Sequence, residues 1–176
     1  DMLRESQRLN ARQRTIGFDL LRSNPNIAGI SLTGIMDHGY CGEGLWRFWR
    51  DWKPAMFDAV CDGWSPLRWC LFAEPGHVYA GREVTVKAAL ATEDALKPGE
   101  YPACFRMFGP QGCVWTKCTK IVIPQDMPLA VPALEETVRI DGPSGKYTLR
   151  ANLETGGAPT GETLCFYVSR EDELPR

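Results

Sequence analysis

Apolar positions set out two regions of different period. Over Met2–Leu21, Met2, Leu9, Ile16 and Leu20 recur on one stripe, which predicts an amphipathic helix turning that stripe inward. Arg4, Arg8, Arg12 and Arg14 fall mostly off it and read as a solvated or domain-contacting face. Ser23-Asn24-Pro25-Asn26 ends the helix, because Pro25 disfavours helical dihedrals at the residue before it. Ile27 to Met36 follows, small and apolar with no charge and little alternation, the pattern of a strand buried on both faces as in parallel sheets. Beyond a loop punctuated by Gly39, Gly42 and Gly44, Leu45–Trp49 is expected to form a helical turn. Ala55–Val60 reads as a short helix with Pro54 in its first turn.

After Asp62-Gly63-Trp64-Ser65-Pro66 the period becomes two. Strands are expected over Leu67–Ala73, Glu83–Ala91, Tyr101–Phe108, Val114–Ile123, Leu134–Ile140, Lys146–Leu153 and Thr163–Ser169. Val84, Val86, Ala88 and Leu90 alternate with polar or small neighbours, and Tyr147, Leu149, Ala151 and Leu153 do the same. Gly/Pro turns separate the runs, and the proline-bearing segment 125–132 reads as an extended crossover between two sheets. Seven short strands at this spacing suggest an immunoglobulin-like antiparallel β-sandwich, a mainly β fold preceded by a helix-strand-helix piece. The expected organisation is residues 1–62 for the αβ piece and 66–170 for the sandwich. One isolated strand of a parallel sheet cannot stand alone, and the chain opens inside a helix, so it reads as part of something larger.

Composition changes little. The 176 residues are 44% hydrophobic and 24% charged, ordinary globular values, and the net charge of −2 argues against nucleic acid as a partner. No stretch is long and apolar enough for a membrane span, and the start does not resemble a signal peptide. The seven cysteines (41, 61, 70, 104, 113, 118 and 165) are odd in number, so at least one is free. They show no metal-ligand spacing and are expected to be reduced and mostly buried, in a reducing compartment. No cofactor or metal motif is present.

Candidate chemistry gathers just past the apolar run, in Asp37, His38, Tyr40 and Glu43. The carboxyl ends of parallel strands are where α/β folds bind their ligands. These four residues are therefore the expected cleft lining, with Asp37 and Glu43 a conceivable acid/base pair. His77, after Pro75-Gly76, reads as a loop residue. Trp46, Trp49, Trp52, Trp64 and Trp69 suit either core packing or stacking against sugar rings.

The helix ESQRLNARQRTIGFDLLRSNPNIAG, the strand SLTGIMD and the stretch GLWRFWRDWKPAMFDAV, ahead of a sandwich, resemble the end of a family 2 glycoside hydrolase. That group contains β-galactosidases, β-glucuronidases and β-mannosidases. The resemblance rests on motif over Asp1 to about Cys70, including Lys53-Pro54-Ala55, and on strand pattern beyond. It implies that the first piece is the terminal αβ unit of a (β/α)8 barrel. The catalytic glutamates lie on earlier strands, so the resemblance places no catalytic residue on this chain. It implies a carbohydrate substrate for the intact enzyme, faced by Asp37 and His38, and self-association through the exposed barrel piece. The family's tryptophan near the end of the eighth strand has no counterpart in Leu32–Asp37. A competing reading is a non-catalytic carbohydrate- or protein-binding β-sandwich module, with Trp115 on an aromatic platform.

Overall fold

A computed structural model describes residues 1–173. Helix α1 spans Met2–Arg22 and α2 spans Met56–Gly63. Eight strands follow: β1 (Arg68–Glu74), β2 (His77–Tyr79), β3 (Glu83–Ala91), β4 (Gly99–Gly109), β5 (Gly112–Ile123), β6 (Ala130–Arg139), β7 (Gly145–Leu153) and β8 (Thr163–Ser169). A 3-10 turn, Glu171–Glu173, comes last. No helix among the described residues is long and apolar enough to cross a membrane.

The strands form two sheets, ordered β1-β3-β6 and β2-β8-β7-β4-β5. Neighbours are antiparallel except β2, which runs parallel to β8. β1 and β2 are one stretch of chain that leaves the first sheet at a cis Glu74–Pro75 bond and joins the second. β6 is an edge strand, which is how it tolerates Pro132: register slips there, between Ala88 and Ala89 on the partner.

Alternation places the inward residues of both sheets in one core. Trp69, Leu71, Val84, Val86 and Leu90 come from the first sheet, and Phe105, Met107, Ile121, Tyr147, Leu149 and Phe166 from the second. Trp69 and Phe105 meet edge to face across the gap, centroids 5.3 Å apart. Each such side chain stabilises the fold by about 2–3 kcal/mol through burial. Tyr147 Oη donates to Pro143 O at 3.0 Å, pinning the turn into β7.

The outer face of the first sheet, Cys70, Ala89 and Ala91, is also buried, and α1 packs against β1 there. Arg68 Nη1 donates to Asp19 Oδ1 at 2.7 Å with both side chains buried, and Arg22 donates to Gly63 O and Ser65 O and reaches Glu93. Burial pushes the Asp19 carboxyl up to about 6 against the pull of Arg68, and the Cys70 thiol beside them up to about 11. Gly63 lies under the Phe18 ring, where a Cβ would overlap the aromatic carbons.

Several expectations are corrected. Ile27–Met36 is not a strand: no backbone hydrogen bond joins residues 28–34 to the rest among the described residues, and the segment is exposed except for the half-buried Ile27, Ile30 and Leu32. Only its end is paired, Met36 bridging Trp46; among the described residues no strand lies beside 28–34. Leu45–Trp49 is not helical; Trp46 bridges both Met36 and Trp52 in a folded loop. The α1 stripe points outward, with Met2 88%, Leu9 55%, Ile16 44% and Leu20 59% exposed. Ala11, Phe18, Asp19 and Arg22, away from that stripe, are the ones buried. His77 belongs to β2, its Nε2 2.7 Å from Ser169 Oγ. Residues 130–132 of the expected crossover already belong to β6. Cys104 and Cys118, opposite each other on β4 and β5, form a disulfide, so the expectation of uniformly reduced cysteines does not hold.

Candidate functional site

The loop after the extended segment is built on glycine and one buried lysine. Leu45 N and Trp46 N both donate to Ile35 O, and Asp37 N donates to Trp46 O, so residues 35–37 run beside 44–46. Gly44 makes this approach possible: a Cβ there would collide with the backbone of Met36 and Asp37. Gly34, at φ 71°, turns the chain into the loop and lets the Glu43 side chain lie over it.

Asp37 Oδ1 accepts from Gly44 N at 2.9 Å and from Lys53 Nζ at 2.8 Å. Lys53, 3% exposed, also donates to Gly42 O at 2.5 Å. A buried ammonium needs a countercharge, and Asp37 supplies it. The pair clamps residues 37–44 onto 53, and the carboxylate so held is an acceptor and an anchor.

The other expected residues do not converge on Asp37. His38 and Cys41 exchange backbone hydrogen bonds at 3.1 Å, closing a tight turn whose tip, Tyr40, is fully exposed. His38 is exposed as well. The Glu43 side chain is exposed, and its carbonyl accepts from Arg14 Nη2 of α1 at 2.8 Å. The four residues share one loop, but only Asp37 is drawn into a polar network. Sequence reasoning passed over Lys53 as a site residue. Its signal was present: a lysine directly before Pro-Ala, followed by a helix, in a stretch otherwise rich in aromatics.

Beside this loop the aromatics divide. Trp46, Trp52 and Phe57 form an edge-to-face chain with centroids 5.5 and 5.2 Å apart. Phe48 and Trp49, also edge to face at 5.2 Å, project into solvent. Trp115 is half-buried against the sandwich core and offers no free platform. A separate cleft of about 450 Å³ lies between α1, α2 and β8. Its lining includes Arg8, Arg12 and Lys146 as well as Asp58 and Asp62.

No family model matches the chain, and no curated protein does. Among solved structures it is similar to a Pseudomonas fluorescens alkylpurine DNA glycosylase, AlkC, bound to DNA containing an abasic site analogue. That match has 9% identity and a TM-score of 0.44, and covers 65% of this chain and 33% of that one. It is similar to the CARDB domain of a Pyrococcus furiosus protein in complex with di-metal ions, at 12% identity and TM-score 0.44, covering 60% and 94%. The C-terminal domain of Wzt matches at 8% identity and TM-score 0.39, covering 58% and 71%. This chain thus spans about a third of the length of the first of these structures.

Proposed function

We propose that the chain is the carboxyl-terminal part of a retaining glycoside hydrolase acting on β-glycosides. It comprises the last αβ unit of a (β/α)8 barrel joined to an immunoglobulin-like sandwich, and the catalytic glutamates lie elsewhere in the polypeptide. The observation that carries the reading is the pairing of two unsatisfied surfaces. Helix α1 turns Met2, Leu3, Leu9, Ile16 and Leu20 to solvent, and among the described residues the apolar segment 28–34 makes no backbone hydrogen bonds. A barrel strand and its helix, viewed without their neighbours, have this appearance. The Asp37–Lys53 clamp then fixes the loop at the strand's carboxyl end, where a barrel binds its substrate.

The sandwich supports the finer fold assignment. A first strand shared between two sheets, a three-on-five arrangement and a tyrosine bonded back across the turn into β7 are consistent with an immunoglobulin-like scheme. In this reading Asp37, His38, Tyr40 and Glu43 line the rim of the sugar cleft, no cofactor is needed, and hydrolysis proceeds by double displacement on the glutamates outside this chain.

The test is expression of the gene product from its own start. It should hydrolyse a nitrophenyl β-glycoside with retention at the anomeric carbon, whereas the 176-residue chain should not. Turnover by the 176-residue chain above controls would overturn the reading, as would a gene product lacking glutamates at the ends of two βα-repeat strands. A second reading, a carbohydrate-binding module, is favoured only by the exposed Phe48–Trp49 pair. It predicts oligosaccharide binding that is lost in Trp49→Ala.

A further inference from the structure

The cleft between α1, α2 and β8 holds a donor that the fold leaves unused. Arg68 lines it, with a side chain only 1% exposed. Its guanidinium bonds, to Asp19 Oδ1 and Cys70 Sγ, leave from Nη1 alone, and Nε has no partner among the described residues. Nε and Nη2 form one edge of the planar group, a fork of two parallel N–H donors. Buried donors are ordinarily satisfied, so an idle fork at the base of a cleft calls for an acceptor from outside. Gly161, also in the lining, leaves the guanidinium uncovered: a Cβ there would lie 3.5 Å from Arg68 Cζ.

We propose that this cleft binds a small monocarboxylate with an apolar body, its carboxylate on the free edge of Arg68 and Arg12 as the second cation. The walls suit such a body: Ile16, Leu71 and Leu164 supply apolar surface, and Thr163, Cys165 and Tyr167 share one face of β8. The volume of about 450 Å³ is that of a small-molecule site. Charge selects a single carboxylate over a dianion. Arg8 is paired with Glu5 and Arg68 with Asp19, while Arg12 and Lys146, unpaired among the described residues, are balanced by Asp58 and Asp62. The lining has no surplus of cations for a second negative charge, and a planar fork matches two carboxylate oxygens.

The inference does not rest on the glycosidase reading, and its failure would leave that reading standing. Calorimetry with benzoate, benzamide and inorganic phosphate at one ionic strength tests it. Benzoate should bind with a Kd of about 1 mM or tighter, and benzamide and phosphate at least ~10-fold more weakly. Arg12→Gln, at an exposed position, should weaken benzoate about 10-fold. Arg68→Lys keeps the charge but removes the fork, and should abolish binding. Should that variant not fold, Cys165 decides in the parent chain. At about 10 Kd of benzoate its alkylation should slow roughly 10-fold, with Cys61 and Cys113, both outside the cleft, unchanged. No benzoate binding, equal binding of benzamide, tighter binding of phosphate, or benzoate bound without protecting Cys165 would each overturn the proposal. So would binding by the 176-residue chain that is lost in the gene product expressed from its own start, since a carboxylate of the polypeptide would then own the site.

Discussion

Lys53 and Asp37 are held 2.8 Å apart with unequal access to water: the lysine side chain is 3% exposed and the aspartate 16%. That asymmetry predicts unequal costs for losing either partner. Asp37→Ala strands an ammonium with only Gly42 O for company and should destabilise the loop by about 3 kcal/mol. Lys53→Met leaves a carboxylate that keeps Gly44 N and has some water, and should cost about 1–2 kcal/mol. Hydrogen exchange of the Gly44 and Trp46 amides, with Trp46 and Trp52 as fluorescence reporters, would rank the two. Equal or reversed costs would mean the pair is not a clamp.

The Asp19–Arg68 pair predicts a pH dependence with a definite sign. Burial raises the Asp19 carboxyl from 3.8 unfolded to about 6 folded. Between those values the folded chain binds more protons than the unfolded one, so stability falls as pH rises from about 4 to about 6 and is flat above. Arg68, the Leu71 backbone and the Cys70 thiol face this carboxylate, and burial holds the thiol's own titration at about 11, far above this range. The fall is bounded at about 3 kcal/mol and should vanish in Asp19→Asn. Urea unfolding at stepped pH measures it.

How much of this was legible in the chain depended on how local the cause was. Period-two alternation recovered seven of eight strands, with β3 and β8 at the bounds read from sequence, because each strand's inward set is written in its own residues. β2 escaped because three residues carry no period. The Ile27–Met36 run was read as a strand from its apolarity, yet strand formation is a property of a pair: only its end, at Ile35 and Met36, meets residues 45–46, and among the described residues nothing pairs with 28–34. The α1 helix was legible and its orientation was not. Periodicity located the aliphatic stripe, but the chain buries the face of Ala11 and Phe18, which fit beneath α2. Asp37 stood out by its place after the run. Its partner, 16 residues on, did not: the Lys-Pro-Ala setting marks the lysine, but burial against a loop closed by Gly42 and Gly44 is a tertiary property.

Packing of α1 on α2 predicts intolerance at a single glycine. Gly63→Ala would gain helix propensity of about 1 kcal/mol if exposed, but its methyl would overlap the Phe18 ring, itself braced against Trp64 at 5.1 Å. The net expectation is a loss of about 1–3 kcal/mol, relieved in part by Phe18→Leu. Chemical denaturation of the two single variants and the double variant forms a cycle. An additive result would exclude the contact as the cause.

The cysteines give a prediction with separate thermodynamic and chemical readouts. Cys104 and Cys118 close a loop of sequence separation 14, for which chain entropy predicts about 3 kcal/mol of stabilisation. The eleven paired positions of β4 and β5 do not depend on that bond, so reduction should lower the unfolding free energy by up to this amount while leaving the sheet intact. Five thiols remain. Cys61 and Cys113 are exposed and should react with a thiol reagent in the native state. Cys70, buried with its thiol pushed up to about 11, should react only on unfolding, and Cys41 and Cys165 at intermediate rates. Mass spectrometry after timed alkylation resolves the order. Early labelling of Cys70 would show that α1 does not stay seated on the outer face of the first sheet, and the buried Asp19–Arg68 pair would then be open to water as well.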